Sequence, residues 1–373
     1  MATPTGGLAV PLAGIGGIPT RSEVIRAHKS AGGGIAAVFP IHSPRALLRA
    51  FGLLPVEVWG PPHVDVSHGA AHLQPYVCSI VRNALSFVLA GGLDVADVLV
   101  VPHACDSLQG LGSILIDFVR PRQTVLPFYP PRGTRPSDFD YLTAELRALY
   151  TRLQAVTGLT PSGETLRDGI TREEDADRVL TLLHDLRRGL GLNSAEFYTL
   201  ARSREYLPAE VFSAIARQAL ERPPVPAPSG LPVLLSGIVP EPAGVLEAFD
   251  RIGATIVADD FACSGRRLYP PGRDPDPFRR MAEGLLGGPP DPTRGSPIAE
   301  RLRRLIALSR RSGARGVIFY TLKFCEPELF DLPSLRGGLQ RAGLPTTSVE
   351  VDLSEGLPEQ VQTRLEAFLE MIA

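Results

Sequence analysis

This 373-residue sequence contains four cysteines, Cys78, Cys105, Cys263 and Cys325. Of all its residues, they could take part in the widest range of chemistry. They are far apart and form no CxxC pair, so they do not indicate a disulfide framework. A cysteine thiolate can act as a nucleophile or bind a metal. Zinc sites more often contain closely spaced cysteines, whereas iron–sulfur clusters accept dispersed ones. A lone cysteine is also commonly a small buried apolar residue, so the spacing alone leaves all these roles open.

The surrounding sequence puts three of the cysteines at the ends of predicted elements. Cys105 follows an apolar run at 97–102 that predicts a strand, and Cys325 follows another at 316–322. Cys78 directly precedes a helical pattern, and the N-terminus of a helix stabilises a thiolate. Ligands of open parallel sheets bind at the carboxyl ends of the strands. We therefore expect the three thiols to converge in a cleft, provided that the units carrying them face each other.

The elements that must position these thiols form two α/β units. Short apolar runs alternate with helical patterns near both ends of the chain, whereas its middle shows almost only helical patterns. Strands that are apolar on both faces indicate parallel sheets covered on both sides. We predict an α/β fold with two doubly wound parallel-sheet domains, an inserted helical segment and the site in the cleft between the domains. The predicted parts are a flexible leader (1–30), an N-terminal α/β domain (31–135), the helical segment (136–222), a proline-rich linker (223–230) and a C-terminal α/β domain (231–373).

Composition and motifs argue against several function classes. The 38 basic and 40 acidic side chains give a net charge of -2, which provides no overall field for holding nucleic acid. No run of about 18 apolar residues is present, so no membrane span is expected. We interpret the glycine-rich stretch 8–18 as a loose leader and not a signal peptide, because no basic residue precedes it, and we expect a cytoplasmic protein with reduced thiols. GxGxxG, Walker A, HExxH and GxSxG motifs are all absent from the sequence, so it has no familiar loop for ATP or a dinucleotide.

Five segments carry a pattern that extends beyond the cysteines. They are HLQPYVCSIVRNAL (72–85), VPHACDSLQGL (101–111), ADDFACSGRR (258–267), GVIFYTLKFCEPELFDLPSLRGGLQRAGLPTTSVEVD (316–352) and QVQTRLEAFLE (360–370). Together they resemble the 2-hydroxyacyl-CoA dehydratase family, which includes the cluster-bearing subunits of benzoyl-CoA reductase. The resemblance covers nearly the whole chain and is densest from 316 to 370. Its most specific part is the string KFCEPE, followed by a strand that ends in aspartate and by the tail helix.

The resemblance implies a cofactor and its ligands. By motif, Cys78, Cys105 and Cys325 match the three cysteines that hold a [4Fe–4S] cluster in the family, and Cys263 is interpreted as a buried structural thiol. Three thiolates leave one iron without a protein ligand, as in an open catalytic zinc site. The implied partners are a related second subunit or a second copy, a separate ATP-dependent iron–sulfur activator protein and an acyl-CoA substrate. The implied reaction is a one-electron reduction of the thioester that ends in dehydration or in partial reduction of an aromatic ring.

Several neighbours of the cysteines are candidates for further roles. The candidates for proton transfer or substrate binding are His103, Asp106 and Glu326, and the candidates for donors to the cluster sulfurs are Ser79 and Gln109. The alternative for Asp106 and Glu326 is that they cap the helices that follow. The alternative for His103 is a supporting hydrogen bond behind the ligands. Arg82 is predicted to lie on the solvated face of its helix.

One position departs from the family pattern and leaves the role of the chain open. Family members often have P-x-E-L in the first helix of the first domain, whereas residues 44–47 here are PRAL, with Ala46 in place of the acid. If that acid contacts substrate in relatives, this chain would relay electrons without binding the thioester. The alternatives to a substrate-reducing subunit are therefore a non-catalytic electron-relay subunit of the same complex, or a zinc- or thiol-containing α/β binding protein without redox activity.

Overall fold

The computed structural model describes residues 10–12, 15–226, 229–242 and 244–373. The strands are β1 (Val10–Leu12), β2 (Ile15–Ile18), β3 (Gly34–Val38), β4 (Leu53–Glu57), β5 (Val98–Pro102), β6 (Thr124–Phe128), β7 (Leu231–Gly237), β8 (Ala254–Phe261), β9 (Gly316–Leu322) and β10 (Thr346–Val351). The helices are α1 (Arg21–Ser30), α2 (Arg45–Ala50), α3 (Ser79–Leu89), α4 (Asp106–Ile114), α5 (Pro136–Thr157), α6 (Gly163–Leu186), α7 (Ser194–Ser203), α8 (Ala209–Leu220), α9 (Val245–Arg251), α10 (Pro277–Leu286), α11 (Ile298–Ser312), α12 (Glu326–Arg341) and α13 (Glu359–Ile372). None of the described helices is both long and apolar enough to cross a membrane.

The first sheet is parallel, with the strand order β4-β3-β5-β6. Its strands are apolar on both faces because helices cover both sides. Alternate residues of β3 and β5 point to opposite faces: Ile35 and Leu99 pack in a cluster with apolar side chains of α3 and α4. Ala36 and Val98 pack in another cluster with side chains of α2, α5 and α10.

The second sheet is also parallel, with the order β10-β9-β7-β8. Ile318 of β9 packs in the same apolar cluster as side chains of α7, α9 and α13. Its neighbour Val317 faces the opposite side, where it packs with side chains of α11 and α12. The predicted class, α/β with two doubly wound parallel-sheet domains, is therefore confirmed.

The helices α5 to α8 lie between the two sheets in the sequence. The apolar face of α5 is built from leucines three and four residues apart, at positions 142, 146, 149 and 153, all of them fully buried. This face packs with the side chains on one side of the first sheet and with α10. The helix ends at Gly158, whose positive φ of 71° closes the last turn.

Part of the predicted leader has regular structure. The strands β1 and β2 pair antiparallel, and α1 begins with a capping box in which Thr20 and Glu23 bind each other's backbone amides. The rest of the predicted leader, residues 1–9 and 13–14, lies outside the described residues. Residues 227–228 of the predicted linker also lie outside them.

Candidate functional site

Three of the four cysteines occupy the same local position, the residue that immediately precedes a helix. Cys78 caps α3, Cys105 caps α4 and Cys325 caps α12. At this position a side chain faces the unpaired backbone N–H groups of the first turn and the positive end of the helix dipole. The positive ends of the three helices would therefore stabilise negative charge on the three sulfur atoms.

The sheet topology explains why two of these helix starts lie where a ligand is expected. In a doubly wound sheet, ligands bind at the carboxyl edge where the strand order reverses. In the first sheet this point lies between β3 and β5, and Cys105 follows β5. In the second sheet it lies between β7 and β9, and Cys325 follows β9. Phe324, just before Cys325, has a φ of 62° and turns the chain into α12.

The pKa values of Cys105 and Cys325 each include a contribution from another thiol of the group, which indicates that the three thiols lie near one another. Burial and, to a smaller extent, the charge of Cys78 together raise the pKa of Cys105 from 9.0 to about 12. Burial raises the pKa of Cys325 well above 9.0, with further increases from Cys78 and Cys105. The pKa of Cys78 is raised mainly by burial, and the backbone N–H groups of its helix oppose this increase. The structure thus brings the thiols of three separate elements into one site.

The donor atoms of this site are three cysteine thiols. Within the described ranges, no three His, Cys, Asp or Glu side chains are close enough together to bind one ion. The thiolates that hold a four-iron cluster bind different iron atoms, so they lie farther apart than the ligands of one zinc ion. Cys78 and Cys325 are buried and Cys105 is half-buried, so bound thiolates would be largely shielded from water. The residues present therefore fit a cluster with three cysteine ligands.

Cys263 lies outside this group. It follows β8, is buried, and its backbone N–H donates to Ile238 O at 3.1 Å. Burial raises the pKa of its thiol well above 9.0, and its charged neighbours include Arg202, Glu205 and Asp259. These surroundings are those of a thiol packed in the protein interior.

The structure places the two candidate donors to the cluster sulfurs in different environments. Ser79 is fully buried, and its Oγ accepts a hydrogen bond from Leu353 N at 3.3 Å. Gln109 is exposed on α4. Only Ser79 is therefore held in a fixed position next to one of the three cysteines.

Both candidate carboxylates are exposed at the first residue of a helix. Asp106 begins α4 and forms a solvent-exposed ion pair with Arg132 at 3.5 Å. Glu326 begins α12. A negative charge in this position interacts favourably with the helix dipole. Both carboxylates are therefore placed to stabilise the starts of their own helices.

His103 is better placed to exchange a proton. Its ring packs edge-on against Tyr129 with the ring centroids 4.4 Å apart, and burial lowers its pKa, so the ring is neutral at neutral pH. Its Nε2 is shielded from solvent and has no hydrogen-bond partner among the described residues. Gly112 leaves room for the ring, since a Cβ there would lie only 2.9 Å from Nε2.

Arg82 has a different role from the predicted one. The prediction that it lies on a solvated face is wrong, because its side chain is mostly buried and forms an ion pair with Asp352 in the loop after β10. The contact joins α3 to the loop after β10, two segments that meet only in the folded protein. The aspartate at the end of the VEVD string is the sequence feature that could have indicated a partner.

A buried charge network anchors the start of α12. Glu328, the third residue of the helix, accepts hydrogen bonds from Arg266 Nη1 at 2.6 Å and from Arg301 Nη2 at 2.5 Å. Both arginines also lie beside Asp260, at 3.2 and 3.5 Å. Burial acts to raise the pKa of Glu328, but the two guanidinium groups outweigh burial and lower it. The network therefore holds an ionised carboxylate one turn beyond Cys325, and no local sequence pattern indicates this role.

Ala46, at the position of the family acid, lines a cavity of about 80 Å³. Buried charges of Arg45, Glu57 and Arg267 surround it, and they pair with one another: Glu57 Oε1 accepts from Arg45 Nη1 at 3.3 Å and from Arg267 Nη2 at 2.5 Å. Ion-paired side chains therefore form one part of the cavity lining, and apolar side chains form the rest. None of the three grouped cysteines is among its described lining residues.

Comparison with known proteins gives a consistent family. A family model for 2-hydroxyglutaryl-CoA dehydratase, D-component, matches residues 40–372. The chain is 25% identical to the beta subunit of lactoyl-CoA dehydratase of Anaerotignum propionicum, over 91% of this chain and 92% of the relative. It is 24% identical to a benzoyl-CoA reductase subunit of Thauera aromatica, over 91% and 90%. It is 25% identical to the beta subunit of (R)-2-hydroxyglutaryl-CoA dehydratase of Acidaminococcus fermentans, over 92% and 94%. The predicted resemblance is confirmed: the chain belongs to the 2-hydroxyglutaryl-CoA dehydratase D-component family, which includes subunits of acyl-CoA dehydratases and benzoyl-CoA reductase.

Proposed function

We propose that this chain is the [4Fe–4S]-binding subunit of an enzyme that reduces an acyl-CoA thioester by one electron, with Cys78, Cys105 and Cys325 as the cluster ligands. The observation that carries the proposal is the convergence of these three cysteines, each at a helix N-terminus, in a chain of this family. The relatives' names add the substrate class, because they are acyl-CoA dehydratase and benzoyl-CoA reductase subunits.

When bound, the cluster would supply a low-potential electron and one iron free of protein ligands. The chain's own residues would set the conditions for this chemistry. Burial of Cys78 and Cys325 excludes water. The three helix dipoles offset the negative charge of the thiolates. In the cluster-free protein the raised pKa values keep the thiols protonated, so cluster binding would release protons.

His103 is the group that we propose for proton transfer. Its Nε2 is shielded from solvent, has no partner among the described residues and belongs to a neutral imidazole. We propose that Ser79 supports a cluster sulfur, because its Oγ accepts from Leu353 N and its own hydrogen has no acceptor among the described residues. Asp106 and Glu326 would stabilise the N-termini of α4 and α12. Gln109 is exposed, so we assign it no contact with the cluster.

The chain would work in a complex. The relatives are all named as single subunits of their enzymes, most of them as beta subunits, which implies a partner subunit for them. We extend this to the present chain and propose a related second subunit. The sequence has no Walker A motif, so we assign ATP hydrolysis to a separate iron–sulfur activator. Whether the thioester loses water or an aromatic ring is reduced depends on the acyl group.

The test is iron and sulfide analysis with absorbance spectroscopy on protein purified without oxygen. We expect a brown protein with about four irons per chain, and loss of the colour in Cys78→Ala, Cys105→Ala and Cys325→Ala. Cys263→Ala is the matched control and should keep the cluster. A colourless, iron-free protein, even after co-expression with a partner subunit, would refute the proposal.

Titration of the loaded protein with CoA thioesters tests the substrate role. We expect the electron paramagnetic resonance (EPR) spectrum of the reduced cluster to change, because a substrate near the open iron alters its surroundings. An unchanged spectrum would contradict substrate binding and leave electron relay, the role that Ala46 would favour.

A further inference from the structure

The start of α3 is joined to the second domain by three hydrogen bonds. Arg82 donates to Asp352, Leu353 N donates to Ser79 Oγ at 3.3 Å, and Ser354 Oγ donates to Asn83 Oδ1 at 3.0 Å. We call this set the latch; its members are Ser79, Arg82, Asn83, Asp352, Leu353 and Ser354. On α3 the latch residues are three and four positions apart, so they share one face of the helix.

Each side of the latch leads directly to one of the proposed cluster ligands. On the first side, Ser79 follows Cys78 in the chain. On the second side, Asp352 follows the last residue of β10, Val351, whose carbonyl accepts from Lys323 N at 2.9 Å. Lys323 is two residues from Cys325. The path from Cys78 to Cys325 through the latch therefore consists of short chain segments and hydrogen bonds.

Most of the latch is buried, whereas Arg82 is partly buried and Ser354 is exposed. Ser79 and Asn83 are 0% exposed and Asp352 is 6% exposed. Asn83 Nδ2 also donates to Pro61 O at 3.1 Å, and Asp352 Oδ1 accepts from Ser354 N at 2.9 Å. A charge-assisted bond between mostly buried partners has a defined geometry and is costly to break. Apolar contacts between the domains are non-directional, so they cannot set the separation of two sulfur atoms as narrowly.

We propose that the latch holds Cys78 of the first domain at the correct distance from Cys325 of the second domain. Its members are positioning residues, since they act through the cysteines. The importance of this distance for cluster binding rests on the function proposed above. The latch itself is a property of the chain without any cofactor, so it can be tested separately.

The first test measures the two thiols in cluster-free protein. Cys105→Ala and Cys263→Ala together leave only Cys78 and Cys325, which dibromobimane links into a fluorescent product when the two thiols are near each other. In this background we expect Asp352→Asn to lower the cross-linking rate, because the two thiols are then no longer held near each other. Glu355→Gln is the matched control: Glu355 lies in the same loop but forms an exposed pair with Lys323 at 3.1 Å. Its cross-linking rate should stay unchanged.

The second test uses the loaded, full-length protein with all four cysteines. Asp352→Asn should broaden the EPR signal of the reduced cluster and speed iron loss to a chelator by about tenfold. A second pair of variants covers the case in which Asp352→Asn does not fold. Arg82→Gln should change the EPR signal and the rate of iron loss in the same way, whereas Arg82→Lys keeps the charge and should stay close to wild type in both. Variants that only lower the unfolding midpoint, with unchanged cross-linking and an unchanged EPR signal, would overturn the latch. An iron-free wild type would refute the proposed function, and the cross-linking test would still decide the latch.

Discussion

Burial sets the protonation state of the thiols at the scale of single residues. Cys105 is the clearest case, since burial, with a smaller contribution from the nearby Cys78, raises its pKa from 9.0 to about 12. A protein that holds three such thiols together without a cofactor keeps them neutral. A metal cluster would deprotonate them and gain three well-shielded ligands.

The reactivity of Cys105 should follow this raised pKa. In cluster-free protein we expect iodoacetamide to modify Cys105 slowly at neutral pH, with a rate that still rises at about pH 10, because only the thiolate reacts. Mass spectrometry of the peptide that contains Cys105 measures the rate. The same protein unfolded in urea is the control, and there the rate should level off near the ordinary cysteine pKa. A plateau at that pH in the folded protein would contradict the prediction.

The raised pKa also fixes the sign of a stability effect. Above the unfolded-state pKa of 9.0, the unfolded chain releases a proton that folded Cys105 retains up to about pH 12. The contribution of Cys105 to stability is therefore fully present below about pH 9 and is lost as the pH rises toward 12.

The start of α12 depends on ion pairs at the scale of an element. Arg301→Ala should lower the free energy of unfolding by about 3–5 kcal/mol, because it leaves Glu328 and Asp260 buried with fewer partners. Urea unfolding measures this change. Arg303→Ala is the control on the same helix, since that side chain is 76% exposed, and it should stay within about 0.5 kcal/mol of wild type. Equal effects of the two variants would rule out an anchoring role for the network.

The pH dependence of this network has the opposite sign from that of the thiols. The pKa of Glu328 is lowered by Arg266 and Arg301. Its contribution to stability is present above its ordinary pKa of 4.5 and is lost as the pH falls through the lowered folded-state pKa. The difference in stability between wild type and Glu328→Gln should therefore shrink in acid.

The leucine face of α5 gives a second prediction for an element. Leu146 is fully buried, whereas Val156 near the end of the same helix is 39% exposed. Leu146→Ala should cost about 2–5 kcal/mol through a cavity beside the first sheet, and Val156→Ala should cost much less. Chemical denaturation of both variants checks this. A small effect of Leu146→Ala would mean that α5 does not pack as described.

The two sheets share one core at the scale of the whole molecule. A single cluster of buried apolar side chains includes Leu99 of the first sheet and Ile318 of the second. Such a shared core couples the stability of the two domains. It is also what makes the latch possible, since it holds α3 next to the loop after β10.

A shared core predicts one cooperative unfolding transition. Trp59 is the only tryptophan in the sequence and lies just after β4 in the first domain, so its fluorescence reports that domain, whereas circular dichroism reports all helices. We expect the two signals to change together in urea. Two separated transitions would show that the domains unfold independently. Ile318→Val is a mild change in the second domain. If the domains share one core, this variant should shift the urea midpoint of the Trp59 fluorescence transition. If the domains unfold independently, the midpoint should stay unchanged.

Most elements near the site could be predicted from the sequence. The strands β5 and β9 are continuous apolar runs, and the helices after Cys78, Cys105 and Cys325 have regular apolar spacing. The helix α10 is harder to recognise in the sequence, although Asp276, Pro277 and apolar residues from Phe278 onward are a usual helix start. The segments on both sides of it are rich in proline and glycine, a composition that is typical of loops.

The sequence by itself determined the class of fold, the three cysteines at element ends and the family, because all three depend on local patterns and on motifs. Only the tertiary structure decided which charges meet. Arg82 looks solvated on an isolated helix, and it is mostly buried because Asp352, far away in the chain, packs against it. Hydrogen bonds and ion pairs between distant segments require both partners in their folded positions, and no local pattern in either segment records the other.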